Sequence, residues 1–193
     1  YKDEIRKRYT NLEIFNIFKS NKRVLLFLVE NKIFVFDEII FSQMISKIDK
    51  YKSYFKFFAN ELKPFLINDP HYSYHASFQP PQNFEKFKKG GENESLICQI
   101  IRDDNIDEFV VYINEQSLPL DSSINMSNYE TNLFLEDKWP TFIEYSAFKG
   151  SIQIFNYLVR NNVKLTRSLW IYAIHGNNAE ILGILEENKI KPP

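Results

Sequence analysis

The chain has 193 residues, 44% hydrophobic and 25% charged, so it can bury a core and is not a disordered polymer. Its 24 Lys and Arg against 25 Asp and Glu give a formal net charge of -1, which argues against bulk electrostatic binding to DNA, RNA or anionic lipid. A single cysteine rules out an internal disulfide, and with three histidines it supplies too few ligands for a zinc-finger array.

In chain order, the polar N-terminus Tyr1-Lys2-Asp3-Glu4 lacks the apolar core of a signal peptide. Residues 1–67 are expected to form a helical N-terminal domain. Leu12, Phe15 and Phe18 follow helical spacing, with Ile14 and Ile17 widening the stripe. Asn21 is a candidate cap for a second helix carrying Val24, Leu25, Phe27 and Leu28; Asp37 is one for a third carrying Ile40, Met44, Ile45 and Ile48. A fourth helix carries Phe55, Phe58 and Leu62, with Pro64 as its kink or stop. Between the second and third, Ile33 to Phe36 is expected as a buried connector. The longest apolar run, Val24 to Val29, is far short of the roughly 20 residues of a membrane span, so no membrane partner is expected and the expected location is cytoplasmic. The 18 Phe and 11 Tyr accompany many Ile, Asn and Lys, the bias of AT-rich coding. They are therefore read as core filling rather than as platforms for bases or sugars.

Residues 68–95, punctuated by Pro70, Pro80, Pro81, Gly90 and Gly91, are expected as a linker with one short helix near Phe84 to Lys88. The charge changes sign across it. Residues 1–95 hold 16 basic and 12 acidic side chains; residues 96–193 hold 8 and 13.

Residues 96–193 repeat. Ile143 to Val159 aligns with Trp170 to Glu186 at an offset of 27, and with Ile97 to Ile113 at an offset of 46. Each unit reads as helix, polar turn (Asp104-Asn105, Gly150-Ser151, Asn177-Asn178) and second helix. Such a pair buries its apolar face only by stacking on neighbours. Ile97, Ile143 and Trp170, with Phe109, Phe155 and Leu182, are the expected core columns.

The middle unit, Thr141-Phe142-Ile143-Glu144-Tyr145-Ser146-Ala147-Phe148-Lys149-Gly150-Ser151 followed by Ile154-Phe155 and Leu158-Val159, resembles the ankyrin repeat. Thr141, Ala147, Gly150, Ile154 and Leu158 fit that pattern, whereas Phe142 stands for its Pro and Glu144 for its His. With the segment around Ala173-Ile174-His175-Gly176-Asn177-Asn178, the stretch is similar to the divergent ankyrin-repeat proteins expanded in parasitic protists, which also carry a helical segment ahead of their repeats. The resemblance implies an all-α fold: a helical N-terminal domain, then an ankyrin-type helix-pair solenoid of about three repeats. The spacing leaves a shortened connection between the last two units. Between the first two it leaves a long insertion within 117–137 bearing Asp121, Glu130, Glu136 and Asp137. The third unit ends at Leu185 and Ile190 without a capping helix, so the solenoid is expected to continue beyond residue 193 or to dock there on another chain.

The resemblance implies a non-enzymatic protein-interaction scaffold whose partner is another protein. Its variable first-helix positions carry over to Gln99, Tyr145 and Tyr172, to Arg102, Phe148 and His175, and to Asp103 and Lys149, all expected to stay off the core. The alternatives are a regulatory fragment of a larger enzyme, or a nucleic-acid adaptor using Lys86, Lys88 and Lys89 with Phe84 and Phe87. No catalytic, cofactor or metal site is expected. His71 and His75 lack a third ligand nearby, Cys98 has no adjacent base, and Gly90-Gly91 lacks phosphate-loop spacing. Asp103, Asp104, Asp107 and Glu108 suit a solvated helix start.

Overall fold

The computed structural model describes residues 2–66, 82–136 and 138–193. The described residues are all-helical: thirteen helices, no strand, and one isolated antiparallel bridge between Ser123 and Thr141. They form two compact units, Tyr1–Glu92 with Asn128–Leu133, and Asn93–Ser127 with Phe134–Pro193.

In the first unit, local caps set the helix starts. Thr10 and Glu13 form a reciprocal capping box ahead of α2 (Asn11–Phe18), which follows α1 (Lys2–Arg8). The Asn21 side chain accepts the Val24 N–H at the start of α3 (Lys22–Glu30), and that of Asp37 accepts the Ile40 N–H at α4 (Glu38–Ile45). The fourth expected helix is two, α5 (Ile48–Phe57) and α6 (Ala59–Leu66), broken at Phe58; Pro64 stands inside α6 instead of ending it. The core is largely aromatic. Phe15 is fully buried, stacked on Phe34 at 6.3 Å and beside Tyr51 at 5.8 Å. Phe34 and Phe36 alternate inward along the connector, while Val35 points out. Two expectations for the core fail. Ile17 and Phe27 are both 58% exposed, and Leu26 is buried instead.

α7 (Phe84–Gly90) lies within the stretch expected as a linker. Gly91 closes it at φ 68°, a left-handed position that glycine adopts freely. Its carbonyl accepts from the N–H and the hydroxyl of Thr131. The expected surface insertion thus contributes Asn128–Leu133 to this unit. Two buried lysines mark the joints. Lys22 reaches the carbonyls of Asn128 at 3.5 Å and Glu130 at 3.4 Å, with its ammonium near the Tyr54 and Phe57 rings. Lys88, 1% exposed, pairs with Glu61 at 2.6 Å beside the rings of Phe57, Phe58 and Phe84.

The second unit is three helix pairs: α8 (Leu96–Arg102) with α9 (Ile106–Glu115), α10 (Phe142–Lys149) with α11 (Ile152–Arg160), and α12 (Leu169–Gly176) with α13 (Ala179–Glu187). First helices pack on first helices and second on second. The backbone repeats at the offsets read from sequence. Asp104, Gly150 and Asn177, spaced by 46 and 27, all have positive φ. Behind them the N–H groups of Asn105, Ser151 and Asn178 bond the carbonyls of Ile100, Ser146 and Ala173, the closure of a Schellman turn. Ser117, Asn162 and Lys189 close the second helices in the same left-handed way.

Polar bonds tie each pair to the next. The Asp104 carboxylate accepts the N–H groups of Gln153 and Ile154, capping α11 from the neighbouring pair. Ser151 Oγ donates to the Ile101 carbonyl, and Asn178 Nδ2 to that of Gly150. Ile97, Ile143, Phe109 and Phe155 are buried as the columns require; Trp170 and Leu182 are only half-buried. On the last pair, Ile181 and Leu185 are fully buried, and Ile184 and Ile190 are half-buried.

α12 approaches α10 through Gly176. A Cβ there would sit 2.3 Å from the Ala147 carbonyl oxygen and 2.9 Å from that of Phe148. Gly176→Ala must therefore push the backbones of α10 and α12 apart, and a loss of about 1–3 kcal/mol is expected in urea unfolding. Gly183 in α13 faces open space. Gly183→Ala is expected to gain about 0.5–1 kcal/mol from helix propensity alone. Equal effects at the two positions would contradict the close approach.

Candidate interaction face on the first helices

α10 starts with a second capping box. Thr141 Oγ1 accepts the Glu144 N–H, and Glu144 Oε2 accepts the Thr141 N–H at 2.9 Å. Glu144, where the ankyrin pattern has His, therefore keeps the turn capped. Its other oxygen accepts the Ser168 hydroxyl at 2.7 Å, ahead of α12. These bonds hold the first helices in the register on which the eight expected face residues depend.

Those residues do not share one fate. Gln99, Asp103 and His175 are exposed, and Arg102 and Lys149 are half-buried. Tyr145, Phe148 and Tyr172 are buried, at 1%, 8% and 7%, which corrects the expectation that they stay off the core. The Tyr145 hydroxyl accepts from Arg102 Nη1 at 3.2 Å, and the same Nη1 donates to the Asn93 carbonyl at 2.8 Å. Lys149 Nζ lies 5.6 Å from both the Tyr145 and Phe148 ring centroids.

The burial of Phe148 and Tyr172 has a specific cause. Phe134, from the insertion, lies flat against Phe148 at 5.7 Å and edge-on to Tyr172 at 5.0 Å. The His175 ring stacks on it at 4.2 Å, and Lys138 Nζ sits 3.6 Å from its centroid. Phe134 and Lys138 were not marked by any periodicity. Phe-Leu-Glu-Asp-Lys-Trp reads as an irregular loop, and only the tertiary path brings its ring onto α10 and α12.

Burial, reinforced by the nearby Glu144 carboxylate, pushes the Tyr172 hydroxyl up to about 12. The folded state thus holds this proton more tightly than the unfolded chain. The contribution is fully present below about pH 10 and is lost as pH rises through about 12. Burial also raises Tyr51, in the first unit. Trp139 and Trp170 both belong to the second unit, so tryptophan fluorescence follows that unit alone. The expected result is a urea midpoint, read by tryptophan, that falls between pH 10 and 12 in the wild type and falls less in Tyr172→Phe.

The other candidate groups sit elsewhere. Cys98 is fully buried in the second unit's core. Lys88 and Phe84 are buried in the first unit while Lys86 and Lys89 are exposed, so the residues named for the nucleic-acid alternative do not share one surface. His71, His75 and Asp137 lie outside the described residues. Of the other insertion acids, Asp121 is exposed, Glu136 is half-buried, and Glu130 is buried, accepting the N–H groups of Thr131 and Asn132. Among the described residues no three His, Cys, Asp or Glu side chains converge as metal ligands, and no helix is long and apolar enough to cross a membrane. Comparison with protein-family models, curated proteins and solved structures gave no match to this chain.

Proposed function

We propose that the chain is a non-enzymatic protein-interaction scaffold of ankyrin type, binding another protein along the first helices of its helix pairs. The observation that carries this reading is the shared left-handed turn at Asp104, Gly150 and Asn177, which sets the first helices in one repeating register. In that register Gln99, Asp103 and His175 face solvent, while Arg102 and Lys149 are braced against Tyr145. Polar groups held by packed aromatics suit a recognition surface, because little side-chain freedom is lost on binding.

The test is a combined Gln99→Ala, Asp103→Ala and His175→Ala variant, used as bait beside the wild type in capture from cell extract. All three are exposed and only His175→Ala removes a packed contact, its stacking on Phe134, so the tryptophan-detected unfolding free energy is expected to stay within about 1.5 kcal/mol of the wild type. Partners held by the wild type and lost by the folded variant support the face; partners retained by it sink this reading.

A further inference from the structure

The first helix pair carries an apolar groove with an acidic rim. Leu96, Ile100, Val111 and Tyr112 line a depression of about 360 Å³ between α8 and α9. Ile100 is buried at its floor, while Leu96 and Val111 are 56% and 55% exposed. The remaining lining residues are Asp107, Glu108 and Glu115, so every charged group in the groove is a carboxylate. The bias extends over the whole helix pair. Residues 93–127 carry seven acidic side chains and one basic one, Arg102, although the full chain is nearly neutral. Neither Gln99 nor Asp103 lines the groove.

We infer that this groove docks an amphipathic helix of a partner protein, with apolar side chains on one face flanked by Lys or Arg. The shape and the charge each restrict the occupant. Two large aliphatic side chains more than half exposed beside a buried floor take apolar anchors at helical spacing. Carboxylates on the rim repel acidic segments and anionic lipid and favour a basic flank, which sets specificity and association rate more than net affinity. The first-helix face is a separate surface, so the groove adds a second contact for a partner of defined chemistry.

The probe is a fluorescent helical peptide of leucine and lysine with its leucines on one face, set against the same peptide with glutamate for lysine. Fluorescence anisotropy is expected to show the leucine–lysine peptide binding at least about tenfold more tightly than the leucine–glutamate peptide, with affinity falling as salt is raised. Leu96→Ser with Val111→Ser is expected to weaken it by about tenfold or more, and Glu108→Lys with Glu115→Lys to erase the preference for lysine. Glu108 and Glu115 are both exposed, so the charge pair keeps the test decisive if the serine pair unfolds. Equal binding of the two peptides, no binding of the leucine–lysine peptide, or unchanged binding by folded variants overturns the inference. So does a concentration-dependent dimer that the serine pair abolishes, because a second copy then fills the groove. Groove variants that lose the peptide but still capture partners through Gln99, Asp103 and His175 leave the first-helix face standing; the converse result separates the two in the other direction.

Discussion

Glu61→Ala is expected to destabilise the first unit by about 3–5 kcal/mol, because it strands a buried ammonium. Lys88 is 1% exposed and its single ion-pair partner among the described residues is Glu61, 22% exposed. The rings of Phe57, Phe58 and Phe84, at 5.3–5.9 Å, attract the cation but accept no hydrogen bond from it of carboxylate strength. Removing both charges should hurt much less. Lys88→Met with Glu61→Leu keeps the stems against the rings and abolishes the buried charge. The measurement is urea unfolding followed by far-ultraviolet circular dichroism, since both tryptophans lie in the other unit. A single variant within about 0.5 kcal/mol of the wild type, or a double variant worse than the single one, would show that the pair is not buried as described.

Phe155→Ala is expected to cost about 3–5 kcal/mol in the second unit. Phe155 is fully buried in α11, which packs on α9 on one side and α13 on the other. A hole there weakens two contacts between neighbouring pairs at once, and stacked repeats derive their stability largely from such contacts. Leu182, its counterpart on α13, is only half-buried, and Leu182→Ala is expected to cost less. Tryptophan-detected unfolding reads both. A Phe155→Ala loss smaller than that of Leu182→Ala would falsify the column register.

What the sequence disclosed and what it hid divide along physical lines. The caps at Asn21 and Asp37 were readable because each is a bond to an N–H three residues on. The repeat was readable because its turns recur at fixed offsets, and Asp104, Gly150 and Asn177 adopt one conformation there. Which side of a short helix faces inward was not. α3 has nine residues, about two and a half turns, and over that length Phe27 and Leu26 are equally good guesses for the stripe. The aromatic face expected on Tyr145, Phe148 and Tyr172 was misplaced for another reason. In the repeat frame these positions were expected to lie off the core, and the Phe134 ring, which no periodicity marks, packs against Phe148 and Tyr172. Lys22 and Lys88 carried no warning at all, since a lysine in a helix reads as solvated until its burial is seen.

The passage of Asn128–Leu133 into the first unit has a consequence for biosynthesis. Proteins emerge from the ribosome N-terminus first, and a domain of contiguous sequence can close as soon as its last residue is clear. Here the unit that begins the chain is not finished by residue 92. Until residues 128–133 have been translated, Lys22 lacks the Asn128 and Glu130 carbonyls that it reaches in the folded protein, and the Phe84 and Phe87 rings lack Tyr129. The nascent chain must also emit α8 and α9 before that closure. The first helix pair of the second unit is therefore outside the ribosome while the first unit is still open, so that unit cannot close as one contiguous stretch of nascent chain.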